Sequence, residues 1–244
     1  MKALIGSTGF VGGALQRQTA FDELYASRNI DSIRGRQLDL VVCAGAYAEK
    51  WRANQDPVAD MAALERLIDP LRELSCRRFV LISTVDVYQR PLGVDESAPA
   101  DAAHPYGRHR RLLEEFVQET FPESFVLRLP ALFGPGLKKN VVFDLLHDHQ
   151  VDRIHPDSAY QYYSLAHLWE DIQRFIPLLN VATEPIPTRE LSLRCFGREL
   201  TQYPPNQSPA RYDFRTLHAQ SGYLYDKATV LRELQEFVAG EREL

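Results

Sequence analysis

Apolar positions fall into short, dense runs separated by helical-period segments. Residues 2–5 (KALI) run into the glycine-rich GSTGFVGG, and ALQRQTAF (14–21) follows at roughly helical spacing. That order reads as strand, tight turn and helix. ELYAS (23–27) and DLVVCAG (39–45) are further strand candidates. The continuous apolar centre of the latter suits a strand buried on both faces, as in a parallel sheet. DPVADMAALERLIDPLREL (56–74) has helical periodicity, and RFVLISTVDVY (78–88) reads as a long strand with a polar end. A helix begun near Tyr106 continues through RLLEEFVQETF (111–121), and SFVLRLPALFG (124–134) reads as one more strand. Strands alternating with helices predict an α/β fold: a Rossmann-like, doubly wound parallel sheet.

Beyond GPG (134–136) the alternation loosens. NVVFDLLHD and LAHLWEDIQRFIPLL read as amphipathic helices. PIPTREL carries a helix start with Thr188 as N-cap, and ATVLRELQEFVAG reads as a closing helix that ends at Gly240. No repeat or low-complexity linker interrupts the chain. The expected organisation is a dinucleotide-binding domain over residues 1–135 and a small C-terminal substrate-binding lobe over 136–244, with a soft boundary.

Composition narrows the picture. The 244 residues are 45% hydrophobic and 25% charged, ordinary for a globular chain. No run approaches the roughly 18 apolar residues of a membrane span, and the early glycines argue against a signal peptide. Three widely spaced cysteines suit a reducing compartment, so a cytoplasmic location is expected. The net charge of −5 argues against a nucleic-acid surface. Seven histidines, among them His104, His109 and His167, show no metal-ligand spacing, so no metal site is expected.

Two stretches could carry chemistry. Gly6, Gly9 and Gly12 recur every third residue where a strand meets a helix, and backbone N–H groups at a helix start attract phosphate. The spacing differs from the common G-x-G-x-x-G fingerprint. In HPYGRHRR (104–111), Tyr106 and Arg110 stand one helical turn apart and share a face. A phenol titrates ordinarily near 10, and a neighbouring cation favours its phenolate. His109 lies beside the pair and is expected to point away from it.

GSTGFVG resembles the T-G-x-x-G-x-x-G turn of the extended short-chain dehydrogenase/reductase superfamily, the NAD(P)-dependent epimerase/dehydratase group that modifies nucleotide sugars. Four more segments resemble that group in order: VVCAGAYA, LISTVDVY, HPYGRHR and LRLPALFGPGLKKN, with weaker echoes in YQYYSLAHLWEDI and ATEPIPTREL. The resemblance implies that Gly6, Gly9 and Gly12 cradle a pyrophosphate, and that Thr8, Phe10, Val11, Ala44, Gly45 and Leu129 are further cofactor-binding residues. It implies that Thr84 hydrogen-bonds the reacting oxygen and that Tyr106 exchanges a proton with it. Arg110 stands where the group has a lysine that tunes the tyrosine and holds the nicotinamide ribose. A planar fork does not copy a compact ammonium, so a retained pair with altered geometry is expected. Dehydratases of the group follow the threonine with Asp-Glu; here Val85 and Asp86 follow Thr84, which disfavours dehydration and favours reduction or epimerisation. Asp86 is retained as a candidate acid/base or substrate contact.

In ASRN (26–29) no acid awaits a ribose 2′-hydroxyl, whereas Ser27 and Arg28 suit a 2′-phosphate, so NADP(H) is favoured over NAD(H). Lys139, Asn140 and Gln161 are the candidate substrate contacts, alongside Asp86. The resemblance also implies a nucleotide-sugar substrate and a homodimer built on the helices at 56–74 and 105–121. The rival reading is a dinucleotide-binding sensor or scaffold that has lost catalysis.

Overall fold

The structure, a computed structural model, describes residues 1–243. The chain runs β1 (Lys2–Ile5), α1 (Phe10–Gln18), β2 (Glu23–Tyr25), β3 (Gln37–Cys43), α2 (Lys50–Gln55), α3 (Pro57–Leu71), β4 (Ser75–Thr84), β5 (Leu92–Val94), α4 (Pro105–Thr120) and β6 (Ser124–Leu129). It continues through β7 (Ala131–Phe133), α5 (Val141–Leu146), β8 (Ala159–Tyr160), β9 (Tyr162–Ser164), α6 (Leu168–Ile172), β10 (Leu178–Asn180), β11 (Ile186–Pro187), α7 (Thr188–Phe196), β12 (Asp213–Phe214) and α8 (Lys227–Arg242).

Two compact units emerge, and each is built from interleaved segments. The first comprises Met1–Arg90, Ala98–Arg128 and Ala166–Leu179; the second comprises Pro91–Ser97, Leu129–Leu165 and Asn180–Leu244. A single boundary near residue 135 therefore does not describe the chain. The expected strand over 124–134 is in fact two, β6 and β7, broken at Pro130, which cannot donate to a ladder. The expected long helix over 165–179 is also absent as such. It comprises a 3-10 turn, the five-residue α6 and the strand β10.

Among the described residues the first unit carries a six-stranded sheet in the order β10-β6-β4-β3-β1-β2. The pairs β1/β2, β1/β3 and β3/β4 run parallel. Val41, Phe79, Leu81, Leu113, Val117 and Val126 are buried in its core, as two-sided apolar strands require. A single 3-10 turn, Ile30–Ile33, is the helical element between β2 and β3, so that connection is short. The chain leaves β1 for β2 on one side and crosses to β3 on the other. Ligands of open α/β sheets bind outside the strand C-termini at such a reversal. The returning segment docks by side-chain contacts: Trp169 N donates to Gln18 at 2.9 Å, and Lys2 Nζ lies over the Phe21 and Trp169 rings.

The second unit packs Tyr162, Ile186, Leu191, Leu231 and Leu234 in its own core. Its strands form pairs: β7 with β9, β8 with β11 and β5 with β12. Glu96 pins the detached 91–97 segment by accepting from Asn180 N, Thr216 Oγ1 and Leu217 N. Helix boundaries also differ in detail from the sequence expectation. Pro187 rather than Thr188 is the cap of α7, and Gly240 lies inside α8.

Candidate active site

Three of the expected segments meet at the C-terminal edge of the first unit's sheet. Gly6 follows β1, Ala44 and Gly45 follow β3, and Thr84 ends β4. Gly6 has φ +83°, and a Cβ there would overlap the carbonyl oxygen of Ala44. A Cβ on Gly12 would overlap the Gly6 carbonyl. Only glycine lets the turn lie this close to β3 and to the first turn of α1. Gly9 caps α1 without a side-chain bond, and the first turn carries no acid. The positive helix end is thus left for an anion, with Thr8 exposed and Phe10 and Val11 half-buried around it. These residues fit the pyrophosphate of a dinucleotide. Ser27 and Arg28 are exposed just beyond β2, while their neighbour Asn29 folds the turn by accepting from Ala26 N at 2.7 Å. Leu129 ends β6 and is buried.

Helix α4 begins where the motif predicts. Pro105 takes its first turn, His104 Nδ1 accepts from Gly107 N at 3.0 Å, and Asn54 Oδ1 accepts from Tyr106 N at 3.0 Å. A Cβ on Gly107 would overlap the carbonyl oxygen of Asp86, so glycine brings this turn against the end of β4. The result is a cluster. The Thr84 and Arg110 side chains lie beside the Tyr106 phenol and favour its ionised form. The Arg110 guanidinium carbon lies 4.7 Å from the Tyr106 ring centroid.

Burial pushes the Tyr106 pKa above its ordinary value, and Asp86 adds to that; Arg110 and Thr84 pull the other way and do not prevail. Arg110 does favour the phenolate, as its charge implies, but desolvation outweighs it. A further moderating feature is that Arg110 is already paired, with Asp60 Oδ1 at 2.8 Å. His109 does not point into empty space, for its Nδ1 lies 2.7 Å from Asp60 Oδ2. Asp86 is half-buried, its backbone N donates to Thr84 Oγ1, and its carboxylate meets Lys50 Nζ at 2.6 Å. Burial, and Lys50 next, hold the His104 pKa below its ordinary value.

Behind this cluster lies a fully buried polar network that sequence reasoning missed. Glu114 accepts from Ser83 Oγ at 2.6 Å and from Arg128 at 3.0 and 2.6 Å, and Arg128 Nη1 donates to the Tyr88 hydroxyl at 2.6 Å. Glu114 and Arg128 side chains are 0% and 1% exposed. Two signals were present. Glu114 continues the Tyr106, Arg110 face by one more turn, and Arg128 interrupts an otherwise apolar strand.

The candidate substrate contacts in the second unit behave differently. Gln161 is 2% exposed; its amide donates to the Thr183 and Phe214 carbonyls and accepts from Phe214 N. The buried amide is tied to the frame of the second unit, which argues against Gln161 as a substrate contact. Asn140, at φ +118°, caps α5 by accepting from Val142 N and Phe143 N and donates to the Leu132 carbonyl. Its amide oxygen and one amide N–H serve that turn, which argues against a direct substrate role. Lys139 is exposed in the preceding loop. Among the described residues no group of three or more metal-ligating side chains occurs, and no helix is long and apolar enough to cross a membrane.

A reversed parallel sheet with a glycine-lined turn at its C-terminal edge defines a dinucleotide-binding α/β protein. The model of the NAD dependent epimerase/dehydratase family matches residues 3–155, and the chain belongs to that family. Similar solved structures include dTDP-4-dehydrorhamnose reductase from Bacillus anthracis str. Ames in complex with NADP, at 17% identity and a TM-score of 0.74 over 98% of this chain and 97% of that one. UDP-N-acetylglucosamine 4-epimerase from Methanobrevibacter ruminantium M1, in complex with UDP-N-acetylmuramic acid, is similar at 13% identity and a TM-score of 0.77, covering 98% and 96%. MoeE5 in complex with UDP-glucose and NAD is similar at 15% identity and a TM-score of 0.74, covering 99% and 98%. No curated protein matches the chain. At these identities the likeness to solved structures establishes the shared fold.

Proposed function

We propose that the protein is an NAD(P)-dependent oxidoreductase or epimerase that acts on a nucleotide sugar or a related carbonyl or hydroxyl compound. The observation that carries this reading is the buried Tyr106 phenol with the Arg110 guanidinium over its ring, on the same unit as the glycine turn. Gly6, Gly9 and Gly12, with the N-terminus of α1, hold the pyrophosphate; Ala44, Gly45 and Leu129 line the remainder. When bound, the nicotinamide supplies or accepts hydride. Thr84 hydrogen-bonds the reacting oxygen, and Tyr106 transfers a proton at that oxygen. A phenol whose pKa is raised is protonated near neutrality. It carries the proton it would deliver to a carbonyl oxygen, and the raised pKa makes it a weaker acid than a free phenol. Arg110 orients the ring and contributes a charge beside it. Asp86, just past the end of β4, is the candidate substrate contact on this side of the site. Arg28 and Ser27 favour a 2′-phosphate and so NADP(H). Nucleotide-sugar ligands of the similar structures support the substrate class.

The second reading is a dinucleotide-binding sensor or scaffold. It is favoured by the commitment of Arg110 to Asp60, which moderates the charge offered to Tyr106. Thermal unfolding with NADP+, NADPH, NAD+ and NADH, paired with hydride-transfer assays on dTDP-4-dehydrorhamnose and UDP-glucose, separates the two. The enzyme reading expects a stabilisation of about 2.7 kcal/mol at a hundredfold excess over Kd in wild type and Tyr106→Phe alike. It expects turnover to fall at least about a hundredfold in that variant. Protection without turnover in wild type favours the sensor. No protection by any of the four dinucleotides overturns both.

A further inference from the structure

The Tyr106–Arg110 pair has a third member that no motif marks. Arg110 is 4% exposed, and its Nη2 donates to Asp60 Oδ1 at 2.8 Å and to the Tyr47 carbonyl at 2.7 Å. Asp60 lies in the first turn of α3, and its side chain is 7% exposed. A buried guanidinium requires a counter-ion, because the desolvation cost of an unpaired charge is several kcal/mol. It also differs from an ammonium in shape. A planar fork presents two edges, and holding one edge determines where the other points. Here one edge is taken by Asp60 and the Tyr47 carbonyl, and the guanidinium carbon lies 4.7 Å from the centroid of the Tyr106 ring.

We propose that Asp60 is the positioning residue that makes an arginine workable at position 110: its carboxylate aims the guanidinium at the Tyr106 phenol and sets the charge beside that phenol to that of an ion pair. The inference rests on the reading of Tyr106 as the proton-transfer group and names the residue that sets its environment. The other groups facing the pair are Asp86 at the end of β4, itself bonded to Lys50 of α2, His104 stacked at 6.5 Å from the Tyr106 ring, and His109 against Asp60. Thr84 adds its hydroxyl. Of these only His109 bonds Asp60, so a change at position 60 reads the Asp60 carboxylate together with that one contact.

Phenolate absorbance during alkaline titration tests this, with each protein measured against its own Tyr106→Phe counterpart to isolate one tyrosine among eleven. Asp60→Asn keeps the shape and removes the charge. Its Tyr106 is expected to ionise at lower pH than in wild type, because Arg110 is then uncompensated. Adding Arg110→Met to that variant is expected to return the ionisation to the wild-type pH or above. A folded Asp60→Asn protein whose Tyr106 titrates as in wild type overturns the proposal. So does a shift that persists without Arg110. If the Asn variant does not fold, Asp60→Ser carries the same expectations. The titration needs neither dinucleotide nor substrate. A shift in a protein that no dinucleotide protects therefore keeps the Asp60–Arg110 coupling and rejects the enzymatic reading alone.

Discussion

The two units use polar side chains in opposite ways. In the second unit Gln161, Asn140 and Glu96 each satisfy backbone groups of their own frame, and their hydrogen bonds go to loops and helix ends. In the first unit the polar groups form two tiers. Ser83, Glu114, Arg128 and Tyr88 satisfy one another in the interior. Above them Thr84, Tyr106, Arg110 and Asp86 gather where strands end and a helix begins. The lesson is that a polar residue in a promising motif becomes chemically available only when the surrounding fold satisfies its own backbone by other means.

The largest expected effect tests the inner tier. Glu114→Gln leaves Arg128 buried with a neutral partner and should cost about 3–5 kcal/mol in urea unfolding. Replacing both, as in Glu114→Leu with Arg128→Met, should recover most of that. If the repaired protein also recovers full turnover, the network serves stability alone. If turnover stays low, the network holds Thr84 against Tyr106.

Gln161→Ala probes the second unit. It strands two carbonyls and one N–H of its frame and should cost about 2–4 kcal/mol. The stabilisation by dinucleotide should be unchanged, because the hydrogen-bond partners of Gln161, Thr183 and Phe214, lie in the second unit. A lost dinucleotide response in a folded variant would show that Gln161 does more than brace its own unit.

Arg28→Ala should have the smallest effect on stability, within about 0.5 kcal/mol, since the side chain is exposed. Affinity for NADP(H) should fall about tenfold or more, the worth of one charge-assisted hydrogen bond, while NAD(H) affinity holds. An equal loss for both dinucleotides would place Arg28 elsewhere than at the 2′-phosphate.

Much of the first unit was legible because its signals are local. Continuous apolar runs announced β1, β3 and β4, the glycine triplet announced the turn, and one-turn spacing announced that Tyr106 and Arg110 share a face. The extents failed where a local pattern is ambiguous. SFVLRLPALFG reads as one strand until Pro130 divides it between units, and LAHLWEDIQRFIPLL has helical periodicity although its end is spent as a sheet strand. In the candidate site, Gln161 and Asn140 carried the right chemistry in the right segments, and only their hydrogen bonds showed them committed. Asp60 carried no signal, standing 50 residues from its partner.

The sequence by itself determined the fold class, the glycine turn, the family and the pairing of Tyr106 with Arg110, because each follows from periodicity, backbone permissiveness or ordered motifs within a few residues. Only the tertiary structure decided which polar groups are free, how deeply Tyr106 is buried and which carboxylate faces Arg110. Desolvation and ion pairing depend on what the folded chain brings near, and residues far apart in sequence supply it.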